Sequence, residues 1–142
     1  MKKCFLIGLM VLAVLTVWGQ EKSKKASSST KSEVKQASAS TVVNVYYFHG
    51  KQRCKTCMAV ENVTKETIAK AYGGNKNVKF IEVKTEDKAN APLVEKYKVT
   101  WNALIIEKGK DYIDLTRQGF ANAVNKPEVL SELIQKEVNA RL

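Results

Sequence analysis

The sequence predicts a single α/β domain over residues 41–142, and three observations predict it. Apolar runs rich in β-branched and aromatic residues alternate with segments of helical periodicity. A closely spaced cysteine pair, Cys54 and Cys57, falls at the first strand-to-helix junction. The 44% hydrophobic content of the 142-residue chain suffices for one ordinary core.

Taken in order, residues 42–48 (VVNVYYF) are apolar and β-rich, as expected of a strand buried on both faces. Residues 58–72 follow a helical pattern that stops at Gly73-Gly74. Residues 78–83 (VKFIEV) alternate as a second strand. Asn90-Ala91-Pro92 opens a short helix over residues 92–97, with proline in its first turn. Residues 103–107 (ALIIE) form a third strand, Lys108-Gly109-Lys110 a tight turn, and residues 111–117 a fourth strand that completes a hairpin. Asn125 or Lys126 caps a last helix with Pro127 in its first turn. That helix is expected to bury Val129, Leu130, Leu133, Ile134 and Val138 along one stripe. Tyr46, Phe80, Ile105 and Leu133 are core candidates. The order is β-α-β-α-β-β-α, without internal repeats.

The first 40 residues have a different character. Lys2-Lys3 precede a 15-residue apolar run, residues 4–18, and Val17-Trp18-Gly19 offers small residues at the two positions that define a cleavage site. The run is short for a membrane span, which needs about 20 apolar residues. Residues 1–19 are therefore expected to be a signal peptide, or an anchor if uncleaved, and the domain to be exported to a periplasm or cell envelope. Cys4 comes too early to accept a lipid. Residues 20–40, mostly Ser, Lys and Ala, have little to bury and are expected to be a flexible linker.

Half of the net charge of +10 belongs to those two segments. From Thr41 onward there are 17 Lys+Arg against 12 Asp+Glu, which leaves +5. These charges are scattered and not interleaved with aromatics, which argues against nucleic acid as a partner. A mixed charged surface is the ordinary device for solubility. With Cys4 in the leader, Cys54 and Cys57 are the only pair in the domain. So short a loop constrains an unfolded chain very little, and the pair is there for chemistry or for metal.

Placed at the start of a helix, the first sulfur meets unsatisfied backbone N–H groups and the positive end of the helix dipole. Lys51, Arg53 and Lys55 add positive charge around it. Both effects favour the thiolate of Cys54, the nucleophilic form and the better leaving group. Cys57, one turn inward, would resolve the mixed disulfide that Cys54 forms with a partner. Zinc would need four ligands, and His49 is the only candidate third. A soft metal or trivalent arsenic could take the two thiolates with His49 as an optional third ligand, which stands as the alternative. His49, the only histidine, is either a group tuning Cys54 or an ordinary surface residue. Trp101 is either a substrate-side contact or a cap on the core.

The element order, with the motif at the first β–α junction, resembles the minimal thioredoxin-like fold over residues 42–142. That resemblance implies a central four-stranded mixed sheet with helices on both faces. Gly109 matches the hairpin turn of the fold and Gly119 a glycine after its fourth strand. Residues 97–104 (YKVTWNAL) occupy the place of the segment that ends in a cis-proline, and Ala103 stands where that proline would be. A cis bond before a non-proline residue costs about 2.5–4 kcal/mol, so this loop is expected to be trans or differently shaped. The acid that thioredoxins bury beneath their cysteines has no carboxylate counterpart here; Tyr47 or Phe48 sits there. Proton transfer from Cys57 would then use water or Glu61, one helical turn on. Lys55-Thr56 replaces the Gly-Pro of reducing thioredoxins. Tyr46-Tyr47-Phe48-His49-Gly50 with Arg53-Cys54-x-Thr56-Cys57 is similar, more narrowly, to small exported thioredoxin-like proteins called nitrophenyl compound nitroreductase subunit ArsF, linked to bacterial arsenic resistance. The domain is expected to be a monomer with no cofactor beyond a redox-active Cys54–Cys57 disulfide. Its partner would be a protein thiol or disulfide, or a membrane-bound electron donor.

Overall fold

A computed structural model of the chain describes residues 41–142. The expected signal peptide and linker lie outside the described residues.

β1 (Val43–His49) runs through the middle of a four-stranded sheet of order β2-β1-β3-β4. It pairs in parallel with β2 (Val78–Lys84), and antiparallel with β3 (Ala103–Lys108). A parallel pair needs a crossover, and the 18-residue helix α1 (Lys55–Tyr72) supplies it. β4 (Asp111–Asp114) returns antiparallel to β3. Lys108 pairs with Asp111, so the turn has two residues, and Gly109 takes φ 64° at its first position. Glycine adopts that left-handed conformation at little cost, and a positive φ there suits the twist of a hairpin.

Alternation along the strands sends successive side chains to opposite faces. Val43, Val45 and Tyr47 of β1 join Leu104 and Ile106 of β3 in the larger core, under α1 and α4 (Pro127–Asn139). Tyr46 and Phe48 join Ala103 and Ile105 in a smaller core on the other face, covered by the short helix α2 (Ala91–Lys96). Burying a large apolar side chain of this kind contributes roughly 1.5–3 kcal/mol. Tyr46 and Ile105 are buried as expected, and Phe80 and Leu133 pack partly buried against the larger core.

Three expectations need correction. The fourth strand stops at Asp114 instead of continuing to residue 117, and a seven-residue helix, α3 (Thr116–Asn122), follows it. Asp114 Oδ1 accepts from the Thr116 N–H at 2.8 Å, which bends the chain out of the sheet. Leu115 turns fully into the core; its N–H still donates to the Leu104 carbonyl at 2.8 Å, but the Leu104 N–H donates to Thr116 Oγ1. Gly119 therefore lies within α3 and serves close approach: a Cβ there would meet Val60 Cγ1 at 3.3 Å. Helix α1 begins at Lys55, three residues before the predicted start, so Cys57 is inside the helix and Cys54 caps it. On α4 the buried stripe is Leu130, Ile134 and Val138, spaced by four; Val129 is exposed.

α2 ends in a way that aims the next loop. Lys98 takes φ 52°, its N–H reaches Glu95 O, and the Val99 N–H reaches Val94 O. This is a Schellman closure with lysine in the position glycine usually fills, and Val94 and Val99 both pack into the smaller core. The chain is thus turned back towards residues 100–102 and the cysteines. Among the described residues there is no cis peptide bond, and no helix is long and apolar enough to cross a membrane.

Candidate functional site

Cys54 and Cys57 form a disulfide at the N-terminus of α1. Cys54 has extended backbone angles, and its Sγ accepts from the Cys57 N–H at 3.0 Å. A cysteine sulfur here does the work a serine or aspartate oxygen does at other helix starts. The backbone carries on helically from its carbonyl, which accepts from the Met58 N–H at 3.0 Å. Cys54 is exposed, whereas Cys57 keeps only 4% of its surface. One sulfur faces solvent over the helix terminus and the other is closed off beneath it.

Cys57 is held from two sides. Tyr47 points to the α1 face of the sheet, in step with Val43 and Val45, and its hydroxyl donates to the Cys57 carbonyl at 2.7 Å. Of the two residues expected under the cysteines, Tyr47 is therefore the one beneath α1, and Phe48 faces the other core. Burial pushes the Tyr47 phenol up to about 12, against a smaller downward pull from Arg53, so it stays a donor throughout the neutral range. From the other side, Asn102 Nδ2 donates to Cys57 Sγ at 3.6 Å.

The cations expected around Cys54 are mostly spoken for. Arg53 is ion-paired with Glu61, and Lys51 Nζ lies 3.9 Å from Glu86 Oε2. Only Lys55, in the first turn of α1, has no carboxylate partner among the described residues. Favourable electrostatics at Cys54 thus come from the helix terminus and Lys55 more than from a three-cation cluster. Glu61, expected as a route for the Cys57 proton, is engaged by Arg53.

His49 is not a surface histidine: it is 4% exposed at the end of β1. Its Nε2 lies 2.7 Å from Glu82 Oε1, and its Nδ1 lies 2.9 Å from the Gly50 carbonyl. Each ring nitrogen thus lies against an oxygen of Glu82 or Gly50, and neither is turned to the sulfurs as a ligand. No group of three or more candidate metal ligands gathers among the described residues. The hydrogen bond from His49 holds the Glu82 carboxyl below the usual range, helped by the charges of His49, Arg53 and Lys84 and opposed by partial burial. A depressed carboxylate contributes stability above its unfolded value and loses it as pH falls through the folded one. Glu82→Gln is therefore expected to lower the denaturant midpoint at neutral pH, with the gap from the wild type closing below about pH 4. Denaturant titrations across the acid range measure it.

Trp101 is 75% exposed, so it does not cap the core. It borders a groove of about 470 Å³ lined by residues 50–52, 85–86 and 100–102, beside the cysteine turn. Ala103 opens β3 and is buried opposite Phe48, which anchors the end of this loop in the sheet. Neither Asn102 nor Glu82 stood out in the sequence. The one signal for Asn102 was its place directly before Ala103; a lone glutamate in an alternating strand carries none.

No known family model matches this chain, and no curated protein does. Among solved structures, one described as a malarial protein is similar, with 25% identity and a TM-score of 0.39, over 50% of this chain and 74% of that one. Another is thioredoxin-2, described as a component of the malaria parasite protein secretion machinery, with 25% identity and a TM-score of 0.40. That match covers 51% of this chain and 65% of the thioredoxin-2 chain, just under two thirds. The strand order β2-β1-β3-β4, the parallel crossover through α1 and the disulfide at the first β–α junction make the assignment by themselves. The fold is thioredoxin-like. Neither similar structure bears the name of the narrower arsenic-linked family.

Proposed function

We propose that this thioredoxin-like domain performs thiol–disulfide exchange, with Cys54 as the attacking sulfur and Cys57 as the resolving one. The observation that carries the reading is the asymmetry of the pair: one exposed sulfur capping an 18-residue helix, bonded to one buried sulfur. In the reducing direction, the Cys54 thiolate attacks a partner disulfide, and one partner sulfur leaves with the electron pair as a thiolate. Cys57 then loses its proton to solvent and attacks Cys54 Sγ. The Cys54–Cys57 bond forms, the mixed disulfide breaks, and the second partner sulfur leaves. The protein is oxidised by two electrons and the partner disulfide is reduced by two. The partner is a protein thiol or disulfide, or a membrane-bound electron donor, met outside the cytoplasm if the leader directs export. The resemblance at residues 46–50 and 53–57 extends the proposal to an arsenic-resistance setting.

Equilibration of the protein in glutathione buffers of graded ratio, with the Cys54–Cys57 bond read by mass after alkylation, tests the reading. A single reversible two-electron transition is the expected result. A pair that stays fully oxidised or fully reduced across the series would remove it. The alternative of soft-metal or arsenite binding uses the same two sulfurs, without His49, whose nitrogens face Glu82 and Gly50.

A further inference from the structure

The buried sulfur has no carboxylate beneath it, yet the exchange cycle obliges it to give up a proton where only 4% of the residue meets solvent. Burial disfavours a thiolate unless a donor meets the charge. The side chain that reaches Cys57 Sγ is Asn102, through Nδ2 at 3.6 Å. Its other end is anomalous: Oδ1 is buried and has no hydrogen-bond partner among the described residues. Buried amide oxygens are seldom left unpaired, and one beside a reactive atom calls for an explanation. The amide is also well anchored, since the next residue, Ala103, is locked into β3 opposite Phe48.

We propose that Asn102 governs the ionisation of Cys57 in the resolving step, which rests on the exchange reading above. A primary amide can serve both forms of the sulfur. Nδ2–H donates to the thiolate, as it does to the disulfide sulfur here, and a half-turn of the amide presents the unfilled Oδ1 to the thiol S–H. The donor end favours the anion that must attack Cys54. The proton itself goes to water, and the bonds made and broken are those of the second exchange above. Glu61, tied to Arg53, makes no hydrogen bond to Cys57.

Ellman's reagent, a disulfide whose thiolate is coloured, separates the two steps. In a reduced full chain carrying Cys4→Ser, Cys54 releases the first equivalent by attack, and Cys57 releases the second by resolving the mixed disulfide. The pH inflection of the second release reports Cys57. With Asn102→Leu, of similar size but without donor or acceptor, that inflection is expected to rise by about one to two pH units, the size of a lost charge-assisted hydrogen bond. The second release then slows at neutral pH by about tenfold or more, while the first keeps its rate. Asn102→Asp keeps the shape and puts a carboxylate against the forming anion, so its inflection rises at least as far; it serves if the leucine variant does not fold. An inflection unchanged in a folded variant overturns the role of Asn102 and leaves exchange standing. A wild-type chain that releases only one equivalent overturns the exchange reading and this proposal with it.

Discussion

Replacing Cys57 with serine is expected to turn the protein into a covalent trap. Cys54 remains exposed at the helix terminus, with Lys55 beside it and the residue-57 N–H still aimed at its sulfur. Attack on a partner disulfide therefore proceeds, but nothing is left to break the mixed disulfide. The variant accumulates a partner-linked species that runs as a larger band without reductant and collapses when reductant is added. Cys54→Ser is expected to form no such species, because Cys57 is closed to a second protein. The inequality between the two variants is the informative result. If both trapped partner equally, the assignment of attacking and resolving roles would fall.

Leu104→Ala is expected to cost about 2–5 kcal/mol, the range for emptying a buried leucine site. Leu104 is wholly buried on β3, within the core that α1 closes, and its Cδ2 would lie 3.6 Å from a Cβ at Gly119. Sheet and helix backbones meet closely there and have little freedom to collapse into the void. In a domain of about 100 residues this loss corresponds to a fall in Tm of roughly 10–30 °C, readable by calorimetry. Val129→Ala makes the control: its side chain is exposed on α4, so the change should stay within about 0.5 kcal/mol. A Leu104→Ala protein melting within a few degrees of wild type would show that this core is not packed as described.

Much of the architecture was legible because its signals are local. The run from Val43 to Phe48 alternates between two cores, Gly109 sits where a hairpin needs positive φ, and Pro127 opens α4. The reading failed where a tertiary contact overrode the local pattern. Leu115 falls in step with Ile113 as a strand residue would, but the Asp114 side chain and the burial of Leu115 end the strand and start α3 at Thr116. Val129 fits a helical stripe on paper and lies off the one that meets the core. At the site, the cysteines and their order along the helix were plain from the motif. Their electrical surroundings were not, since a count of nearby lysines and arginines says nothing of Glu61 or Glu86 arriving from elsewhere.

By itself, the amino-acid order determined where the strands and long helices lie and that two sulfurs stand one turn apart at a helix start. Spacing and periodicity are properties of the chain, and they survive without knowledge of neighbours. Only the folded structure decided which sulfur is covered, that Tyr47 and Asn102 reach Cys57, and that His49 belongs to Glu82. Those facts depend on which faces of β1, β3 and α1 are pressed together, and hydrogen bonds between distant residues exist only once that packing has been made.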